Sequence, residues 1–227
     1  MANWLSLPPA TRFGTGAEYH KPDKHMKIRE VADRLKHEAD ALKGEEMKDT
    51  TYASQNTFPD EATAQEAFRR SVNKLVHIDS WSDLSMFTAD FRLHNQSGSP
   101  KPGGQPQVGD YIQIILPGPM PENWVRINHM ATEEKRVEFT VQPSQDPREP
   151  ESDEINHFFT QHARSTFRVE LAGTTITASE IGEHEAINNQ GPQAGDRPVI
   201  NTVIAEGGWL FYQKIQWKLL TDYLVHL

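Results

Sequence analysis

The spacing of apolar and polar positions changes character twice along the chain. Residues 1–22 hold no period at all. Pro8, Pro9, Gly14, Gly16 and Pro22 interrupt them, so they read as an irregular arm, with Trp4, Leu5, Leu7 and Phe13 available to pin it. From residue 23 the period is helical. Ile28, Val31, Leu35, Ala39 and Leu42 recur at spacings of three and four between charges of both signs, and Gly44 suits the stop. Pro59-Asp60-Glu61 opens a further helix, with acids in the first turn where the helix dipole favours them. Its apolar face is Ala64, Ala67, Phe68, Val72 and Leu75. Residues 79–84 break the period with capping residues around Trp81, a core residue or a lid over the core. The whole of 23–88 is read as helical, with no strand ahead of Asp60.

Past residue 89 the period drops to two. Phe91 and Leu93 alternate with Arg92 and His94, and residues 96–107, rich in Gly, Pro and Ser, read as a mobile loop able to act as a lid. Residues 111–116 place Ile112, Ile114 and Leu116 on one strand face, and the prolines of 117–121 force a turn. Residues 124–130 and 136–142 form a hairpin, with Val125, Ile127 and His129 on one face of the first arm and Val137, Phe139 and Val141 on the second. A second hairpin turns at Ala172-Gly173, with Phe167, Val169 and Leu171 inward and Arg168 and Glu170 outward; Arg126 and Arg168, out of phase with their apolar neighbours, face solvent or pair across strands with Glu138 and Glu170. Residues 188–198 are a polar loop, and 199–205 one more strand. After Gly207-Gly208, residues 209–227 return to helical spacing through Tyr212, Ile215, Leu219, Leu220, Tyr223, Leu224 and Leu227. Trp209, Phe211 and Trp217 widen that stripe into a belt, so this helix is expected to be buried along most of its length.

The fold class that follows is α+β: N-terminal helices, a curved antiparallel sheet of six or seven strands over 89–206, and a long buried C-terminal helix over 207–227. With residues 1–22 as an arm, 23–227 reads as one domain. A closing helix of this length spans roughly 28 Å, enough to cross five or six strands. A sheet cupped around such a helix leaves a gap between the two surfaces. This element order, over about residues 60–227, resembles the helix-grip fold of the START/Bet v 1-like superfamily, whose members enclose hydrophobic small molecules between a curved sheet and a C-terminal helix. The stretch from Phe68 to Leu93, followed by Gly109-Asp110-Tyr111-Ile112, Leu116-Pro117-Gly118-Pro119 and Trp124-Val125-Arg126-Ile127, is also similar to an uncharacterised group of bacterial soluble proteins. That likeness implies no activity.

Composition narrows the chemistry. The chain has 227 residues and no cysteine, so disulfides, thiolate zinc sites and thiol nucleophiles are excluded. A net charge of −9, with Lys and Arg interleaved among acids, offers no phosphate-tracking groove for nucleic acid. No apolar run is long enough to span a membrane, and the first residues lack a basic n-region, so a cytoplasmic location is expected. Gly14-Thr15-Gly16 lacks the glycine and lysine of a phosphate loop, and His37-Glu38 and His184-Glu185 lack the second histidine of a zincin helix.

Three functions remain. The first is binding of a hydrophobic small molecule without catalysis. Trp124, Trp209, Tyr212 and Trp217 would wall the cavity, His129 would be its orienting polar group, and no cofactor is called for. It requires an apolar space of some hundreds of Å³. The second is a structural or interaction protein with a solid core, whose arm meets a partner protein or a second copy. The third is a metal-dependent or acid/base enzyme using His157, His162 and His184 with Glu180, Glu183 and Glu185, since imidazoles plus a carboxylate suit zinc or iron. His157 and His162 are five apart, however, and diverge on either a helix or a strand.

Overall fold

A computed structural model describes residues 48–84, 89–116, 122–149, 151–189, 194 and 209–227, with side chains of the last segment from 213 onward. The arm, the helix read over 23–44, the strand read over 199–205 and the glycine pair 207–208 lie outside the described residues.

Seven strands form one antiparallel sheet: β1 (Lys48–Thr57), β2 (Asp90–His94), β3 (Tyr111–Ile115), β4 (Asn123–Thr132), β5 (Arg136–Pro143), β6 (Arg164–Ala172) and β7 (Thr175–Glu185). Between β1 and β2 come helix α1 (Glu61–Val76) and a 3-10 helix (Ile78–Leu84), and the chain closes with helix α2 (Trp209–Leu224). The strand order is β1-β7-β6-β5-β4-β3-β2, a six-strand meander to which β1 returns as the far edge beside β7. This is the α+β helix-grip layout: a curved sheet with a C-terminal helix.

Strand β1 corrects the sequence reading, which made this stretch helical. Its core-side residues, Thr50, Tyr52, Ser54 and Asn56, are mostly polar, so no apolar alternation announces a strand. What makes it one is tertiary: β7 supplies the ladder, and α2 supplies partners for the polar face. Ser54 donates to Asp222 Oδ1 at 2.6 Å, and Asn56 Nδ2 donates to the Val225 carbonyl at 2.9 Å.

Helix α1 begins where expected. Asp60 caps it, accepting from the Thr63 N–H at 2.8 Å, and the buried face is Ala64, Ala67, Phe68, Ser71 and Leu75. Trp81, on the 3-10 helix, is fully buried against Phe91, Phe139 and Phe167. The β6–β7 hairpin turns at Gly173, whose φ of 59° is one that an L side chain resists. Of the alternatives read for Arg168, solvent or a cross-strand acid, the structure has it paired with Glu138 at 2.5 Å across β5–β6.

Residues 96–107 are not a loose lid. The Lys101 N–H donates to the Leu93 carbonyl, Lys101 Nζ pairs with buried Asp110 at 2.7 Å, and Gly103 N–H donates to Asp79 Oδ2 at 2.8 Å. Composition set the expectation of mobility, but these long-range bonds decide the outcome.

Candidate functional site

The concave face of the sheet is built from cross-strand rows. One row runs Ile127, Val141, Ser165, Gly182, Thr50, and the next runs Met130, Phe139, Phe167, Glu180, Tyr52. Helix α2 crosses them, burying Gln213, Gln216, Trp217, Leu220 and Leu224. The residues at 213, 216 and 217 share one face because they are three and four apart. Between helix and sheet lies a cavity of about 40 Å³. Its walls include Phe91, Val125, Phe158, Phe167 and Trp217, with Trp81 below. His157, Ser165, Gln213 and Gln216 are its polar lining.

The polar groups are only partly satisfied. Gln216 Oε1 accepts from the Ala89 N–H at 2.9 Å, while its Nε2 and the Trp217 Nε1 have no hydrogen-bond partner among the described residues. Gln213 Nε2 donates to Glu185 Oε1 at 3.0 Å, leaving Gln213 Oε1 without a donor. His157 is buried and stacked on Phe158, with Nδ1 accepting from the Phe159 N–H at 2.9 Å, which places the proton of a neutral ring on Nε2.

Two carboxylates sit at the β7 end of the cup. Glu185 accepts from Gln213 and from the Thr50 hydroxyl at 3.1 Å. Burial pushes its carboxyl up to about 7, against the pull of those two bonds and of Lys48. The carboxylate occupies the space over Gly182, where a Cβ would stand 2.6 Å from Glu185 Oε1 and 2.5 Å from Thr50 Oγ1. Glu180 is fully buried. Burial first, and the Glu185 charge second, drive its carboxyl well above the ordinary range. The Ser165 hydroxyl is near enough to favour the charged form, yet neither Glu180 oxygen makes a hydrogen bond of good geometry among the described residues.

The sequence-derived candidates separate. Trp217 lines the cavity. Trp124 is buried on the opposite face of the sheet, in register with Gln113, under the Arg148 guanidinium at 5.0 Å and beside His94. The side chains of Trp209 and Tyr212 lie outside the described residues. His129 is corrected: a bulge between Ile127 and His129 adds a residue, so His129 faces outward and is exposed, while Met130 takes the inner position opposite Phe139. His157 lines the cavity, but His162 and His184 are exposed, and among the described residues no group of three His, Asp or Glu could hold a metal ion. The cavity is also an order of magnitude smaller than the space anticipated. Gln213, Gln216 and Ser165 were not anticipated as lining, because glutamine on a helix is ordinarily read as its wet face. The signal available was that Gln213 and Gln216 share the Trp217 face of an otherwise apolar helix.

Among the described residues no helix is long and apolar enough to cross a membrane. No family model matches the chain. No curated protein matches it either. Solved structures do. A hypothetical protein from Helicobacter pylori is 9% identical over 82% of this chain and 92% of its own, with a TM-score of 0.44. Norcoclaurine synthase from Thalictrum flavum, in complex with dopamine and hydroxybenzaldehyde, is 10% identical over 85% and 93%, with a TM-score of 0.39. Major latex-like protein 151 from Panax ginseng is 13% identical over 71% and 97%, with a TM-score of 0.35. No residue role or activity is carried across from them to this chain.

Proposed function

We propose that the protein binds a small hydrophobic molecule, without transforming it, in the cavity between the sheet and α2. The observation that carries this reading is the cavity's wall: an aromatic and aliphatic enclosure into which Gln216 Nε2 and Trp217 Nε1 present unused donors. A sealed core leaves few such atoms unpaired, and a site that orients a ligand needs them. At about 40 Å³ the space holds roughly three waters. A larger guest enters by displacement of wall side chains. That small volume is also the observation favouring a second reading, an interaction protein whose core is simply closed.

Ethylbenzene, titrated by isothermal calorimetry and followed by thermal melts, distinguishes the two. Saturable binding with a raised Tm, weakened at least tenfold by Ala163→Leu in the cavity wall, supports the ligand reading. No binding, with a neutral or raised Tm for the filled variant, leaves the closed-core reading in its place.

A further inference from the structure

We infer that the junction between α1 and the turn after α2 is a pH-operated latch: the neutral His226 imidazole pins that turn to α1, and protonation of the ring releases it. The inference does not depend on the ligand reading above.

The hydrogen bonds assign the protonation of the ring. His226 Nδ1 lies 2.8 Å from the Lys74 ammonium, which can only donate, so Nδ1 carries a lone pair. Nε2 lies 3.0 Å from the Ala67 carbonyl, which can only accept, so Nε2 carries the proton. The Ser71 hydroxyl stands 3.1 Å from the same nitrogen. Both partners are satisfied by the neutral ring alone. A proton added at Nδ1 would set two donors face to face and place a second positive charge against Lys74. The backbone has the same dependence on the ring. His226 has a φ of 68°, a conformation that a non-glycine residue keeps only when its surroundings hold it there. Lys74 and Ser71 complete the junction, Lys74 Nζ donating to the Tyr223 carbonyl and Ser71 Oγ to the Leu224 carbonyl, each at 2.6 Å.

The charges around the ring favour release. Burial, then Lys74 and Arg70 on α1, hold the imidazole below its ordinary range, against the pull of the Ala67 carbonyl. Glu66 of α1 is committed to Arg69 and Arg70. From the residue after β1 the ring meets uncharged Phe58, edge to face at 6.3 Å. On α2, Asp222 is committed to Lys218 and Ser54, and the Tyr223 ring lies under the Lys74 ammonium at 4.4 Å. Acid therefore frees the end of the helix that covers the sheet.

Side-chain nitrogen NMR is expected to show His226 as the Nε2–H tautomer at pH 7.5. The amides of Val225, His226 and Leu227 bond to the carbonyls of Thr221, Tyr223 and Asp222 and report on the turn. Their hydrogen exchange, corrected for its intrinsic pH dependence, should lose at least tenfold in protection between pH 7.5 and pH 5, with a midpoint at the His226 titration. Amides of β5 and β6 should keep theirs. In His226→Ala the turn should be unprotected at both pH values. Lys74→Met, which removes the opposing cation, should raise the His226 midpoint and cut the pH-dependent change severalfold. The opposite response of Glu185 belongs to the Gln213 region of α2, so local exchange separates the two. An Nδ1–H tautomer at pH 7.5, equal protection of the turn at the two pH values, or a turn that stays protected or still loosens in acid in His226→Ala overturns the latch.

Discussion

Single residues set the pH response of this protein. Glu185 has its carboxyl raised from 4.5 to about 7, and Glu180 is raised in the same direction. A raised acid holds its proton in the folded state at a pH where the unfolded chain has released it. For Glu185, stability is therefore highest below about pH 5, falls as pH rises toward 7, and bears the full cost above it; Glu180 acts in the same direction. For Glu185 that cost is on the order of 3 kcal/mol. Urea melts are expected to show greater stability at pH 5 than at pH 8, and Glu185→Gln should narrow the gap by raising the alkaline value. A variant as pH-sensitive as the parent would count against burial of the charged group. Asp146 and Asp222 are lowered, so they work in the opposite sense and only below their ordinary range. The sequence offered Glu180 only as one of several carboxylates beside His157, His162 and His184, not as a buried acid. Alternation through Ile176 and Ala178 places it on the inner face, but an acid there is ordinarily counted as a strand end.

Among the elements, the apolar ones were readable and the polar ones were not. Helix α1 followed from its cap and stripe, and both hairpins from period-two runs, because each buries hydrocarbon on one face. Strand β1 and the 96–107 segment are held by polar groups instead, and a period of hydrophobicity says nothing about those. Asp79 shows the second case: Oδ1 accepts from the Leu93 N–H and Oδ2 from the Gly103 N–H. Asp79→Ala is expected to cost about 1–3 kcal/mol in denaturant melts. A loss under about 0.5 kcal/mol would return the segment to the status of a loose loop. Helix α2 is the apolar counterpart. Leu220 is fully buried, and Leu220→Ala should cost roughly 2–5 kcal/mol by the same measurement.

For the whole molecule, the decisive pairing is a long-range one. Thr50 and Glu185 are 135 residues apart, and β1 cannot pair until the meander from β2 to β7 exists. Contacts of β1 should accordingly form late. Ser54→Ala, which removes the bond to Asp222, is expected to speed unfolding while leaving the refolding rate nearly unchanged in stopped-flow chevrons. Slowed refolding would place β1 in the nucleus instead. The bulge in β4 bears on the molecule in another way. It works like a frameshift: side chains before Asn128 are read in one phase and those after it in the other. Removing Asn128 would make the ladder regular without turning either neighbour, because Ile127 and Met130 would then stand two apart in the cup with His129 outside it. The one extra residue thus lets Ile127 and Met130, three apart in sequence, share the inner face, with no change in the chemistry of any side chain.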